Sequence, residues 1–214
     1  MNKSWESATS GFGERGQEPF GDIPTEPEAF LEWGSRQPRE AGRFELSNGR
    51  VIRTVINVSR RHALVCSNIA FELMRQVNRD LYQVATADFA VRTGRSVRGP
   101  DVVVDPARLN GSELSTSEPI FIAEVLSPST AALDFTTKQR EYTALPSLQT
   151  YLVCSQDEPR AWVWARQADS SWPVEAEMIE GREGTIPLGG LGIDLAMAAI
   201  FRGIPDPPTS AKPC

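Results

Sequence analysis

An α/β domain built on a mixed β-sheet is what this sequence predicts, and three observations carry the prediction. Two short runs dense in Val and Ile, PDVVVDP (100–106) and IFIAEVL (120–126), have the length and branching of core strands rather than helices. In the second run Ile122, Glu124 and Leu126 share one face while Phe121, Ala123 and Val125 share the other, so the strand should be covered on both sides, as central strands of α/β sheets are. Helix and strand patterns then follow one another in the order helix, strands, helix, strands, helix, strand.

Taken in order, residues 1–24 are polar and glycine-rich with no apolar run, which predicts a disordered leader rather than a signal peptide or an anchor. The folded domain is expected to span 25–204 as one unit, since 214 residues with 40% hydrophobic content supply one real core and hardly two. PEAFLEWGS, with proline near its start, suits a short helix. FELSNGRVIRTVI reads as two extended runs joined by Asn48-Gly49, a tight hairpin signal, with Glu45 on the first strand. SRRHALVCSNIAFELMRQVNRD predicts the longest helix, with Ser59 as its cap and His62, Cys66, Ile69 and Leu73 as an apolar stripe. YQVATADFAVRT, DVVVDP and IFIAEVL follow as strands, the first with a break near Thr86. DFTTKQREYTAL is a helix that ends before Pro146; TYLVCSQ and RAWVWAR are strands; GIDLAMAAIF is expected to close the domain as a short helix. Residues 205–214 read as a flexible tail.

Composition narrows the function. No stretch of about 20 apolar residues is present to form a membrane-spanning helix, and a cytoplasmic protein is expected. Three cysteines without close spacing make neither a disulfide framework nor a zinc cluster, and Cys66 and Cys154 read as buried thiols. A single histidine, His62, rules out two-histidine metal sites, so a bound metal is expected to take oxygen ligands, which favours Mg2+ with Mn2+ as a substitute. The net charge of -6 counts against nonspecific nucleic-acid binding, but its distribution is uneven. From Arg36 to Arg61 seven arginines stand against two acids, Glu40 and Glu45, and VRTGRSVRG adds Arg92, Arg95 and Arg98 just before Asp101. A positive front including Arg60, Arg61, Arg92, Arg95 and Arg98 would suit a polyanionic substrate; the bland alternative is that these arginines solvate surfaces.

The chemistry-bearing residues are carboxylates set in apolar surroundings. Glu124 interrupts a core strand and Asp101 heads another, and a buried carboxylate without a partner is costly unless a metal, a cation or catalysis uses it. Asp101 after Pro100 also suits a turn residue that bonds nearby backbone. Asp134, Lys138 and Tyr142 repeat at four-residue spacing and share a helix face. Two carboxylates with a lysine are the equipment of phosphodiester hydrolysis, in which the acids hold a divalent ion and the lysine orients water or offsets developing charge. An exposed Asp134–Lys138 ion pair of a few tenths of a kcal/mol is the alternative, with Tyr142 as a core aromatic.

FELSNGRV, a helix beginning near His62, GPDVVV, IAEVLSPST and DFTTKQREYTALPSLQTYLV, in that order, resemble the Uma2-type endonuclease family of the PD-(D/E)XK nuclease superfamily over roughly residues 25 to 200. That resemblance implies a restriction-endonuclease-like core with a strongly twisted mixed sheet flanked by helices. It implies Asp101 and Glu124 as metal ligands, Lys138 as the catalytic lysine and Glu45 as a further acid of the site. The wider superfamily carries its lysine two residues after the glutamate, where this chain has Leu126; the family's lysine on the following helix matches Lys138. His62 matches a family histidine and equally suits a packing role. Ser127, Ser129 and Thr130 could cap the next helix or support Glu124.

The function expected is therefore a Mg2+-dependent endonuclease acting on nucleic acid, DNA above all, which Lys138→Ala should inactivate with little loss of fold. The rivals are a catalytically silent module that binds nucleic acid or protein and a two-carboxylate hydrolase of another substrate, such as a glycoside. Trp162, Trp164 and Trp172 crowd the later strands and could form a face for a homodimer.

Overall fold

A computed structural model of the chain describes residues 22–54, 58–87, 89–108, 111–127 and 131–205. Ser129, Thr130, Cys214 and nearly all of the expected leader and tail lie outside those residues. Among the described residues no helix is long and apolar enough to cross a membrane.

Helix α1 (Pro27–Ser35) starts on Pro27, whose missing N–H costs nothing in a first turn, and buries Phe30 against Leu46 and Val97. A 3₁₀ turn (Arg39–Ala41) leads into the hairpin β1 (Arg43–Ser47) and β2 (Arg50–Thr54). Asn48 and Gly49 take φ of 50° and 78°, the left-handed pair that a two-residue hairpin turn demands. Helix α2 (Arg60–Gln76) begins where Ser59 Oγ accepts the His62 N–H at 3.1 Å, the cap expected of it. Then come β3 (Tyr82–Thr86), β4 (Ala90–Thr93), β5 (Ser96–Arg98), β6 (Val102–Pro106), β7 (Ser115–Thr116) and β8 (Phe121–Val125). One helical segment follows in three pieces: α3 (Ala131–Leu133), a π turn (Asp134–Lys138) and α4 (Gln139–Thr143). The chain finishes with β9 (Thr150–Cys154), β10 (Arg160–Ala165), β11 (Glu177–Glu180), β12 (Thr185–Leu188), β13 (Ile193–Ala196) and α5 (Met197–Ile200).

The strands form two principal sheets, ordered β2-β1-β5-β4-β7 and β11-β10-β9-β8-β6-β3, plus the β12-β13 hairpin. Both large sheets are mixed: β8 runs parallel to β9 and β4 parallel to β7, while the other pairings are antiparallel. The six-stranded sheet is buried on both faces. Phe121, Ala123 and Val125 pack with Val65, Ile69 and Leu73 of α2, and Ile122 packs on the other side with Tyr142, Leu148 and Tyr151. Glu124 therefore sits in a strand that is apolar on both faces, as its sequence predicts.

Three expectations change. The break near Thr86 is real but larger than a kink, because it sends β3 and β4 into different sheets, with Ala87 at φ 47° between them. GIDLAMAAIF is half strand: Ile193–Ala196 pairs with β12 before one helical turn. Trp164 is buried, and Trp162 and Trp172 pack half-buried against the same aromatic cluster, Trp162 edge-on to Phe135 at 5.0 Å. The tryptophans fill the interior and do not make the exposed face a homodimer would use.

Candidate active site

The register of the central ladder brings the two leading carboxylates together. Val102 of β6 lies opposite Ala123 of β8, and one further antiparallel step sets Asp101 opposite Glu124. Asp101 Oδ2 accepts the Val125 N–H at 2.7 Å, and Oδ1 lies 3.3 Å from His62 Nε2 at the first turn of α2. Asp101 is thus the residue through which the sheet end meets α2. The turn-residue alternative holds only in that its carboxylate also satisfies a backbone donor, but that donor belongs to the neighbouring strand.

Glu124, 4% exposed, is held from the opposite side by the helical segment. Its Oε1 accepts from Lys138 Nζ and from Tyr142 Oη, each at 2.9 Å, and Lys138 Nζ also reaches Asp134 Oδ1 at 2.9 Å. The four-residue spacing does bring Asp134, Lys138 and Tyr142 to one face, and the π turn that carries Asp134 and Lys138 is a feature often found at functional sites. Side-chain exposures of 1% and 5% for Asp134 and Lys138 exclude the solvated surface pair. Tyr142 serves both readings, packing edge-on to Tyr151 while its hydroxyl donates to Glu124.

The charge balance is unusual for an interior. Burial, followed by the neighbouring Asp134, Asp101 and Glu45, pushes the Glu124 carboxyl up to about 8 despite the pull of Lys138. Burial opposes the charge on Lys138, but Glu124, Glu45 and Asp134 outweigh it and hold the amine firmly protonated. Burial would likewise raise Asp101; the hydrogen bond and charge of His62, the Val125 N–H and Lys138 win, and its carboxyl lies below the usual range. Excess negative charge thus collects beside the one carboxylate that burial holds partly protonated. A divalent cation bound by Asp101 and Glu124 fits this deficit of positive charge, and the oxygen donors suit magnesium or manganese.

Glu45 enters the same field from β1. Its Oε1 accepts the Gly99 N–H at 3.1 Å and its Oε2 accepts from Arg98 at 3.2 Å, and the side chain is buried. Arg98 itself is the main correction to the basic front. It is fully buried, and its guanidinium donates to Glu141 at 2.6 and 2.9 Å and to Ser47 Oγ at 2.6 Å as well as to Glu45. Four of its five N–H groups are engaged and none is exposed, so it does not face an outside phosphate. Glu141, which sequence reasoning missed, stands three residues beyond Lys138 on the same helical segment, and that proximity was its only signal.

Of the other arginines, Arg60 and Arg61 are exposed at the start of α2, with Arg61 3.2 Å from Asp157. Arg95 is exposed in the β4–β5 turn with Glu26 at 3.9 Å, and Arg92 is half-buried and paired with Glu28. These pairs are the weak surface kind that an incoming polyanion can displace.

The model of Uma2, described as "Putative restriction endonuclease", matches residues 27–198. An uncharacterized protein of Synechocystis sp. is 26% identical over 182 residues, covering 83% of this chain and 92% of its own length. A second from the same organism is 27% identical over 157 residues, covering 71% and 88%. Among solved structures, "a putative nuclease belonging to DUF820" from Anabaena variabilis superposes with a TM-score of 0.61 at 16% identity, over 80% of this chain and 96% of that one, which shows a shared fold.

Proposed function

The chain belongs to the Uma2 family, and from that premise we propose that it is a divalent-metal-dependent endonuclease that hydrolyses phosphodiester bonds in DNA, with Mg2+ as the cation and Mn2+ as a substitute. The observation that carries the reading is the buried Lys138 ammonium, clasped between Asp134 and Glu124, with Asp101 across the ladder. Two carboxylates contact the one ammonium and a third stands beside Glu124, more negative charge than a structural ion pair needs.

In this reading Asp101 and Glu124 hold the ion, which when bound supplies an activated water and offsets charge on the phosphoryl oxygens. The protein's own residues do the positioning. Val125 N–H and His62 fix one ligand, while Tyr142 and Lys138 fix the other by its Oε1. Lys138, with a hydrogen still to spare beyond Glu124 and Asp134, donates to the attacking water or to a phosphoryl oxygen. Glu45 is an accessory acid whose orientation Arg98 and Gly99 set. Arg60, Arg61, Arg92 and Arg95 supply the electrostatic approach for the strand.

The test is cleavage of supercoiled plasmid and of single-stranded DNA with Mg2+, Mn2+ or chelator, for the wild type and Asp101→Asn. Cleavage that requires metal and disappears in the variant is expected. A folded wild type that binds DNA in either metal without cutting it would place the chain among silent binding modules instead.

A pH dependence follows from Glu124. Its carboxyl is raised from 4.5 to about 8, so in the metal-free protein its contribution to stability is complete below 4.5 and is lost as pH rises through about 8. Loss of that proton frees the ligand. The rise in melting temperature produced by Mn2+, and the cleavage rate with it, should therefore grow between about pH 6 and about pH 9. A metal-induced shift that is flat across that range would mean Glu124 does not bind the ion.

A further inference from the structure

One neighbour of Asp101 is not an oxygen donor. A ring nitrogen of His62, Sγ of Cys66 and a carboxylate oxygen of Asp101 lie within 4.8 Å of one another. His62 and Cys66 are one turn apart on α2, so their side chains stack on one face. We infer that His62, Cys66 and Asp101 form a mixed nitrogen–sulfur–oxygen site for a borderline-soft divalent cation, of which Zn2+ is the type and Co2+ the spectroscopic stand-in.

Three features support the assignment. His62 is 8% exposed, and its Nδ1 is buried with no hydrogen-bond partner among the described residues. Nε2 is the ring nitrogen that stands 3.3 Å from Asp101 Oδ1, so a cation held by both residues would take the Nε2 lone pair in place of that contact, with the ring proton on Nδ1. The spacing is also close to a tetrahedral set, for which nitrogen and sulfur ligands of zinc stand about 3.5 Å apart, a closure that side-chain rotation supplies. Finally, the half-buried Cys66 stands beside Asp101; burial, then Asp101 and Glu124, keep its thiol protonated in the absence of a cation. Binding would replace the S–H bond by an S–metal bond and release the proton to solvent.

The site shares Asp101 with the nuclease reading and rests on it for one consequence: an ion held by the thiolate would compete with Mg2+ for that carboxylate. Binding itself is read without any activity. The metal-free full-length chain is titrated with Co2+ and followed by absorption, with Cys66→Ser, Cys66→Ala and Cys214→Ser alongside. A sulfur-to-cobalt charge-transfer band that saturates at one ion per chain, is displaced by Zn2+, survives in Cys214→Ser and is lost in both Cys66 variants is expected. Circular dichroism confirms their folding. Absence of the band in the wild type, or its persistence in either folded Cys66 variant, overturns the site. As a variant-free check, Zn2+ should slow alkylation of Cys66 in the wild type at least tenfold, and an unchanged rate counts equally against it. A band without cleavage in any metal would leave this site standing and the nuclease reading fallen.

Discussion

Glu124→Gln is expected to abolish metal-dependent cleavage while leaving the protein folded. Glutamine keeps the shape of the side chain, and its Oε1 can still accept from Lys138 and Tyr142, so the interior loses no acceptor. What disappears is the negative charge that an ion requires and that burial already penalises. A drop of at least ~10²-fold in rate is the scale set by deleting one transition-state contact elsewhere, and losing an ion ligand should exceed it. The metal-free variant should melt no lower than the wild type, because one member of an overcharged carboxylate group has been neutralised. Cleavage within about threefold of wild type, at matched metal and pH, would remove Glu124 from the mechanism. Lys138→Ala is the poorer experiment, contrary to the expectation drawn from sequence. Its ammonium is buried between Asp134 and Glu124, and deleting it leaves both carboxylates uncompensated, a cost of about 3–5 kcal/mol where a buried pair is broken from one side.

The same logic gives the largest stability effect, at a residue sequence reading placed on the surface. Arg98→Leu should destabilise the protein by about 3–5 kcal/mol, since the buried Glu45 and the half-buried Glu141 would lose their common cation. For a domain of this size each kcal/mol moves the melting temperature by ~2–4 °C, so a fall of roughly 6–20 °C is expected on that scale. Combining Arg98→Leu with Glu141→Gln should recover part of the loss, because one of the stranded charges is then gone. Denaturant melts of the two single variants and the double variant measure this directly. A loss below about 1 kcal/mol for Arg98→Leu would show that the network is no more than a solvated surface pair. Plasmid binding by the folded variant should be unaffected, since Arg98 offers nothing to an outside phosphate.

Much of the local structure was legible. Ser59 caps α2 where the pattern says it should, and Asn48-Gly49 turns the β1–β2 hairpin. The alternating faces of Phe121–Val125 divide between the two cores as read. The Asp134, Lys138, Tyr142 spacing brings three polar groups to Glu124. Each of these is a repeat of two or of about four residues, and backbone hydrogen bonding makes such repeats a property of the chain itself.

What escaped lies between distant segments. Arg98 reads like any arginine in a turn-rich loop, yet its partners Glu45 and Glu141 stand 53 and 43 residues away. Cys66 sits in an apolar stripe and reads as core; only the path of the chain from α2 to the head of β6 sets it beside Asp101. The division of YQVATADFAVRT between two sheets depends on which edges were free to accept it. By itself, then, the sequence determined most of the elements, the buried faces of the central strand and the resemblance to the family, because short periods and a dense motif survive without knowledge of the whole. Tertiary structure alone decided which charges are interior and which ligands stand together, because desolvation and coulombic pairing act through space and depend on sheet register and loop closure, which no local period encodes.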